Sequence, residues 1–214
     1  MNGKIFQILK NSDPKVAEAM FGELDRQRFT LEMIPSENFT SEAVLEALGS
    51  VLTNKYSEGY PHRRYYGGNE FIDMVEEIAI ERAKKLFGVP YANVQPYSGT
   101  PANLAVYLAT CKPGDVIMGQ NLPAGGHLSH GRKVSASGII WKSITYHVKT
   151  DGYIDLDEVE RLAKEFKPRL IWCGASAYPR EFPFEEIGRI ADEVGAYHVA
   201  DIAHIAGLVA AGVH

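Results

Sequence analysis

The sequence is poor in the features that mark secreted, membrane-spanning or nucleic-acid-binding proteins. Its 214 residues include two cysteines, Cys111 and Cys173, which are too few for a disulfide framework and favour a reducing compartment. No apolar run reaches the roughly 20 residues of a membrane span, and the N-terminus lacks a secretory signal. The net charge is -5 without a basic cluster. These absences predict a cytoplasmic protein that binds neither membranes nor nucleic acid.

Hydrophobic residues make up 45% of the chain, which is enough for one large domain, alone or with an N-terminal arm. Helical spacing predicts helices over 13–28, after Ser41, over about 70–87 and over about 101–111. From residue 115 the elements alternate. The predicted strands cover 115–119, 143–148, 169–175 and 197–203, and helices cover 155–166 and 184–195. This order predicts an α/β fold with a mostly parallel sheet covered by helices on both faces.

A possible anion site lies at the start of the helix predicted from Pro101. Ser98, Gly99 and Thr100 precede it, after a short strand or turn over 94–100. Free backbone N–H groups and the helix dipole favour an anion there, and the two hydroxyls add donors. The pattern also fits an ordinary helix cap, because Ser and Thr are common at that position.

Asp201 and His204 follow the last predicted strand. Open α/β sheets bind ligands at the carboxyl ends of their strands, so a carboxylate there can pair with a cationic ring nitrogen. The alternative is an aspartate whose partners are neighbouring backbone N–H groups. These residues alone do not decide between the two.

His127 follows Gly125 and Gly126, which allow the backbone to approach a ligand closely. A flat imidazole at that point could stack on an aromatic cofactor, and a solvated or core histidine is the alternative. His127 and His130 are also three residues apart, a spacing found in metal sites. Without a third ligand or a cysteine cluster, we expect no metal.

The segment 55–69 is a long loop that is rich in glycine, tyrosine and arginine. Long loops within compact domains are often functional. Its aromatic and basic side chains suit an anionic conjugated ligand, or an interface with another subunit. Glu58 beside these tyrosines is a candidate acid/base group.

Taken together, several segments resemble the serine hydroxymethyltransferase family in order and spacing, from about Glu32 to His214. The matching strings are IPSENFTS, LTNKYSEGYPHRRYYGGNEFID, ERAKKLFG, YANVQPYSGTPAN, GGHLSHG and DIAHIAGLVAAGVH. Pro35 and Ala124 depart from the family's usual residues. The resemblance implies the fold of type I pyridoxal-phosphate (PLP) transferases, which is like that of aspartate aminotransferase. It also implies interconversion of serine and glycine, with transfer of the one-carbon unit to tetrahydrofolate or a related pterin.

The resemblance also implies a role for individual residues. Those implied to bind PLP are Tyr56, Ser98, Gly99, Thr100, His127, Ser176, Asp201 and His204. Among them, the three residues at 98–100 would bind the phosphate, His127 would stack on the ring and Asp201 would pair with the ring nitrogen. Ser176 and His204 would lie beside the ring's phenolic oxygen. The implied catalytic groups are Glu58, His127, Asp201 and His204.

Further residues are implied to bind substrate, namely Ser36, Glu58, Tyr65, Tyr66, Leu122, Gly126 and Leu128. Ser36 would contact the amino-acid carboxylate, and Glu58 would transfer protons near serine and the folate. Leu122, Gly126 and Leu128 would line the folate pocket. Tyr56, Glu58, Tyr65 and Tyr66 would reach the site of a neighbouring subunit, which implies a homodimer or larger assembly with shared active sites.

The resemblance assigns residues 1–54 to an N-terminal helical arm and residues 55–214 to the first part of the large PLP-binding domain. On this interpretation the chain is the N-terminal half, truncated before the Schiff-base lysine, and we expect it to be inactive alone and poorly soluble. Two alternatives stay open. One is a non-catalytic or half-chain subunit, and the other is a related PLP aldolase acting on threonine-like amino acids. Glu58 and the tyrosine-rich loop favour the transferase over the aldolase.

Overall fold

The computed structural model describes residues 6–214, which divide into two compact units, one ending at Phe39 and the other spanning Thr40–His214. The first unit contains helices α1 (Gln7–Ser12) and α2 (Pro14–Phe29). The carboxylate of Asp13 accepts the amide of Val16 at 3.2 Å, and Pro14 is the first helical residue. The predicted start of this helix is therefore confirmed, whereas the short α1 was not predicted.

The second unit holds the remaining α-helices. They are α3 (Glu42–Leu48), α4 (Glu70–Phe87), α5 (Gly99–Thr110), α6 (Ala136–Ile140), α7 (Leu156–Phe166), α8 (Phe184–Val194) and α9 (Ala206–Ala210). The hydroxyl of Ser41 accepts the amide of Val44 at 3.4 Å, so Ser41 caps α3 as predicted. The predicted helices over 70–87, 155–166 and 184–195 are confirmed. The helix expected from Pro101 begins at Gly99, because Ser98 is its cap residue.

The strands of the described residues form a two-stranded hairpin and a four-stranded sheet, and Val148 and Ile154 form an isolated antiparallel bridge. The hairpin pairs β1 (Gly59–Tyr60) with β2 (Arg63–Arg64). The strands of the sheet are β3 (Val116–Gln120), β4 (Lys142–Tyr146), β5 (Leu170–Cys173) and β6 (Tyr197–Ala200). Their order is β4-β3-β5-β6 and every pairing is parallel. The predicted parallel sheet is confirmed, whereas the short strand considered near Val94 is absent there.

Successive residues of β5 point to opposite faces of the sheet and build two separate cores. Leu170 and Trp172 pack with Tyr107 of α5 on one face. Ile171 and Cys173 belong to the other core, with side chains of α7 and α8. Helices therefore cover both faces, as predicted, and all four strands end at one common edge.

The loop over 55–69 is held by one buried arginine. Arg64 donates to the carbonyls of Ser57 and Gly59 at 2.7 and 2.8 Å, and its guanidinium pairs with Asp73 and Glu76 of α4. The Arg64 side chain is 4% exposed. Arg64 thus fastens the loop to α4 by bonding loop carbonyls and α4 carboxylates at once, and the side chains of Tyr56, Glu58, Tyr65 and Tyr66 remain exposed.

The predicted division between an arm over 1–54 and a domain over 55–214 stays a prediction, and residues 1–5 of that arm lie outside the described residues. α3 belongs to the same compact unit as the sheet. Within residues 6–214, no helix is both long enough and apolar enough to cross a membrane.

Candidate active site

A cavity of about 250 Å³ opens at the carboxyl edge of the sheet, beside the start of α5. Its lining residues are Ser98, Gly99, Thr100, Asn103, His127, Ala175, Ser176, Asp201, Ala203 and His204. Seven of these ten were singled out from the sequence as cofactor-binding candidates. The fold therefore brings candidates from four separate segments to one place, which the separate motifs could not guarantee.

The first wall of the cavity is the N-terminus of α5. Ser98 occupies the cap position, but its side chain accepts no amide of the helix. The space around Gly99 is open, since nothing lies within 4 Å of the position a Cβ would take. The amides of Gly99 and Thr100 and the hydroxyls of Ser98 and Thr100 therefore remain available to an anion, whereas the Ala102 amide donates to the Ser98 carbonyl. Ser98 therefore does not form the ordinary side-chain helix cap that its sequence position also allowed.

Asp201 forms the opposite wall, directly after β6. One carboxylate oxygen, Oδ2, accepts the Asn103 amide at 2.9 Å and lies 2.8 Å from Nε2 of His130. The other, Oδ1, accepts the backbone N–H of Ala203 at 3.2 Å. Burial alone would raise the pKa of Asp201, but the hydrogen bonds from His130 and Asn103 outweigh it and hold the pKa well below its usual range. The cavity thus contains a fixed anion.

His127 is half-buried and anchored through Nδ1. This nitrogen accepts the backbone N–H of Ser129 at 3.2 Å and lies 2.7 Å from the Ser129 hydroxyl. Burial, together with the nearby His130, lowers the pKa of His127. A neutral, flat imidazole is therefore held against the cavity.

His130 supports Asp201 from behind the cavity. Its ring stacks on Trp172 with centroids 4.7 Å apart and planes 7° apart. The indole of Trp172 donates to the Tyr107 hydroxyl at 2.5 Å, and that hydroxyl donates to the Ser129 carbonyl at 2.9 Å. The His130 side chain that supports Asp201 is thus itself held by a packed network of aromatic and polar side chains in the core.

Gly125 connects the histidine segment to the segment after β5. Its carbonyl accepts the amides of Ser176 and Ala177 at 3.0 and 3.1 Å. Gly125 has a φ of +102°, and a Cβ there would lie 2.7 Å from the Ala177 carbonyl oxygen. A Cβ on Gly126 would lie 2.1 Å from the carbonyl oxygen of Gln120. These glycines permit close approach of the chain to itself, and this approach places Ser176 in the cavity wall.

A second cavity of about 360 Å³ shares His127 with the first, and His130 also lies in its wall. Leu122 lines it, whereas Leu128 lies nearby on the surface and is 46% exposed. Of the three residues expected to line a folate pocket, only Leu122 lies in the wall of this second cavity. Gly126 is buried.

The tyrosine-rich loop is placed elsewhere. Tyr56 and Glu58 line a separate cavity of about 600 Å³ between the loop and α4. Tyr65 is 80% exposed and Tyr66 is half exposed. None of these four side chains lines the cavity that holds Asp201. Their expected reach into a neighbouring subunit stays a prediction, and so does the role of Ser36, which lies in the unit that ends at Phe39.

Three residues in or beside the cavity were not predicted from the sequence to belong to the site. They are Asn103, Ser129 and His130, all buried. Asn103 and His130 contact Asp201 across 98 and 71 residues of sequence. The only available signal was proximity to a motif, because Asn103 is one helical turn after Gly99 and His130 is three residues after His127. Among residues 6–214 no cluster of three metal-ligating side chains forms around these histidines.

The fold and the cavity together define an α/β protein with a candidate ligand site at the carboxyl edge of a parallel sheet. Comparison with known families makes the assignment specific. The family model described as serine hydroxymethyltransferase matches residues 9–214. The chain therefore belongs to the serine hydroxymethyltransferase family.

Two curated relatives are both named serine hydroxymethyltransferase. The relative from a Nitratiruptor species is 62% identical over 207 residues, covering 97% of this chain and 50% of the relative. The relative from Sorangium cellulosum is 60% identical over 209 residues, covering 97% of this chain and 49% of the relative. The chain thus spans about half the length of the curated relatives it matches. Their shared name confirms the family predicted from the sequence.

Proposed function

We propose that this chain provides the cofactor cradle of a PLP-dependent glycine hydroxymethyltransferase with the type I fold. One observation carries the proposal. An anion cup, a flat neutral imidazole and a carboxylate with a low pKa line a single cavity, in a chain of this family. PLP needs these three groups for its phosphate, its ring face and its ring nitrogen.

The residues present fit this group. The unused hydroxyl of Ser98 and the open backbone at Gly99 suit a phosphate. Asp201 has its oxygen Oδ2 occupied by Asn103 and His130, so Oδ1 is the oxygen that we assign to the cationic ring nitrogen. When bound there, PLP would supply an electron sink for bonds beside the amino group of the amino acid.

The remaining assignments follow from the family. Ser176 and His204, both in the cavity wall, would hydrogen-bond the ring's phenolic oxygen. Ser36 would hold the amino-acid carboxylate, and Tyr65 and Tyr66 would contact substrate. Glu58 would hold and release a proton between the serine hydroxyl and the pterin. Leu122, Gly126 and Leu128 would line the surface that receives tetrahydrofolate or a related pterin.

We propose a homodimer or larger assembly, in which Tyr56 and Glu58 complete the site of the neighbouring chain. Tyr56 is 76% exposed and Tyr65 is 80% exposed, and neither lines the cavity that contains Asp201 in its own chain. Large exposed aromatic side chains are typical of surfaces that another subunit covers. Cys111 and Cys173 are both free and buried, which supports a reducing, cytoplasmic compartment.

The test of the transferase is kinetic and uses the polypeptide encoded by the complete reading frame. We expect tetrahydrofolate-dependent conversion of serine to glycine, and Glu58→Gln should lower kcat by at least about 100-fold, because it removes the proton-transfer group. Glu46→Gln, an exposed position of α3, is the matched control and should retain activity.

Cleavage of threonine without dependence on tetrahydrofolate, combined with negligible activity on serine, would contradict the transferase and favour the aldolase. Cofactor binding without any turnover of serine would instead favour a non-catalytic or half-chain subunit. The serine and threonine assays separate the transferase from the aldolase, and a measurement of cofactor binding identifies the non-catalytic subunit.

A further inference from the structure

Asn103 connects the three parts of the cavity. It projects from the first turns of α5, it is 8% exposed, and its side chain lies between Ser129 and Asp201. Its amide nitrogen Nδ2 donates to Oγ of Ser129 at 2.8 Å and to Oδ2 of Asp201 at 2.9 Å. An amide nitrogen carries two protons, so both are used in these two bonds.

The Ser129 hydroxyl links Asn103 to His127. Because Oγ already accepts a proton from Asn103, its own proton is free for Nδ1 of His127, 2.7 Å away. The backbone N–H of Ser129 also points at Nδ1, at 3.2 Å. A nitrogen that faces two donors must be the unprotonated one, which puts the proton of neutral His127 on Nε2.

The Asn103 amide also constrains the hydrogen bonding of Asp201. Oδ2 faces Asn103 and Nε2 of His130, so both neighbours must donate if the carboxylate is ionised. Nδ1 of His130 is buried and has no hydrogen-bond partner among the described residues. A proton on Nδ1 would be buried without an acceptor, whereas a proton on Nε2 is accepted by Asp201, so the geometry favours the Nε2 tautomer of the His130 ring.

We propose that Asn103 is a positioning residue that fixes, through its two amide protons, the tautomer of His127 and the orientation of Asp201. The benefit for catalysis rests on the proposed function, because a PLP ring needs both groups in one fixed state. The proton arrangement itself does not require the cofactor. It follows from the contacts of Asn103, Ser129 and His127 in the ligand-free chain.

The competing explanation is structural. Asn103 could serve only to pack α5 against the sheet, since buried amides need partners wherever they occur. Loss of such a packing residue would lower stability but would leave the protonation of His127 unchanged. The decisive measurement is therefore spectroscopic.

The experiment uses the ligand-free chain with ¹⁵N-labelled histidine. Long-range ¹H–¹⁵N correlation spectra report which ring nitrogen of each histidine carries the proton, and a pH series gives each titration midpoint. For the wild type we expect His127 to be protonated at Nε2 when neutral. In Ser129→Ala and Asn103→Leu, we expect the Nδ1 resonance to move toward the position of a free acceptor and the midpoint to shift upward, because the neutral form loses hydrogen bonds.

Two further variants are needed for a clear result. Ser129→Thr keeps the hydroxyl and should restore the wild-type resonance and midpoint. Asn121→Leu is the matched control, because the Asn121 amide lies 2.7 Å from Nε2 of His147 and has no part in the cavity with Asp201. It should change the resonances of His147 and leave those of His127 unchanged.

Unchanged His127 resonances in Asn103→Leu would overturn the proposal, as would a wild-type His127 protonated at Nδ1. If Asn103→Leu does not fold, Asn103→Ala, which also removes both amide protons, takes its place in the spectra. A second arm measures binding of pyridoxamine 5′-phosphate, which we expect to weaken about fivefold in Asn103→Leu for the loss of about 1 kcal/mol. Failure of binding to the wild type would count against the proposed function, whereas the spectra test the positioning residue independently.

Discussion

Asp201 is held as an anion by donors from three parts of the chain. Asn103 comes from α5, His130 from the segment after β3, and the Ala203 amide from the turn after β6. These donors lower its pKa even though burial opposes them. A low pKa in the folded state also has a consequence for stability.

At the scale of this residue we predict a specific effect of acid. Because the pKa of Asp201 is lower in the folded chain than the value of about 3.9 in unfolded chains, the unfolded state binds the proton first. Its stabilising contribution is present above that unfolded value and is lost as pH falls toward the folded pKa. The free energy of unfolding should therefore fall more steeply between about pH 5 and pH 3 in the wild type than in Asp201→Asn.

Urea unfolding at several pH values measures this difference. Asp192→Asn, on the exposed side of α8, is the control for removal of a carboxylate and should follow the wild-type slope. Parallel curves for the wild type and Asp201→Asn would contradict the assignment of a lowered pKa to Asp201.

Sequence reasoning singled out candidate residues that belong to motifs. Ser98, His127 and Asp201 each lie beside a local feature, such as a helix start, a glycine pair or the end of a strand. Asn103, Ser129 and His130 have no such feature, since their importance arises from contacts made across the fold. Hydrogen-bond partners that are 98 residues apart cannot be found from local patterns.

At the scale of elements, periodicity predicted the long helices and the strands well. α4, α7 and α8 have apolar positions at helical spacing and identifiable ends, for example Gly88 with a φ of +63° after α4. The six residues of α1 and the five of α6 are too short for a periodic signal.

The hairpin in the tyrosine-rich loop was also not predicted. Its two-residue turn contains Pro61 and His62, and His62 has a φ of +60°, a conformation that usually selects glycine. The backbone N–H of His62 donates to Asp73 at 3.0 Å, and its ring pairs with Glu77 at 2.7 Å. These tertiary contacts override the local preference.

At the scale of elements, we predict that Arg64 holds the tyrosine-rich loop against α4. Arg64→Met removes four bonds to the loop and to α4, and it leaves the carboxylates of Asp73 and Glu76 without their cation. We expect a lower urea midpoint and, in the loop over 55–66, amide hydrogen exchange faster by at least about tenfold.

Arg63→Met is the matched control, because Arg63 is the exposed neighbour on the same strand. It should leave exchange in the loop nearly unchanged. The triple variant Arg64→Met, Asp73→Asn, Glu76→Gln should recover part of the lost stability, because it also removes the stranded charges. Equal exchange in Arg64→Met and Arg63→Met would show that the arginine does not hold the loop.

At the scale of the whole molecule, the resemblance found in the sequence extended over most of the chain, and the family it indicated is confirmed. The parallel sheet and its two covered faces are likewise confirmed. Four segments that are distant in the sequence line one cavity, and this arrangement is seen only in the structure. The central claim is that this cavity binds the phosphate and the ring nitrogen of a pyridoxal-type cofactor.

The most direct test is the affinity of the purified chain for pyridoxamine 5′-phosphate, measured by calorimetry or by equilibrium dialysis. This compound has the phosphate and the ring of PLP but no aldehyde, so it forms no covalent bond with any lysine and reports on the cavity alone. We predict saturable binding that inorganic phosphate competes for, and binding weaker by about tenfold or more in Asp201→Asn, with Asp192→Asn as the unchanged control. Absence of binding to the wild type, or equal affinity in the wild type and Asp201→Asn, would contradict the account.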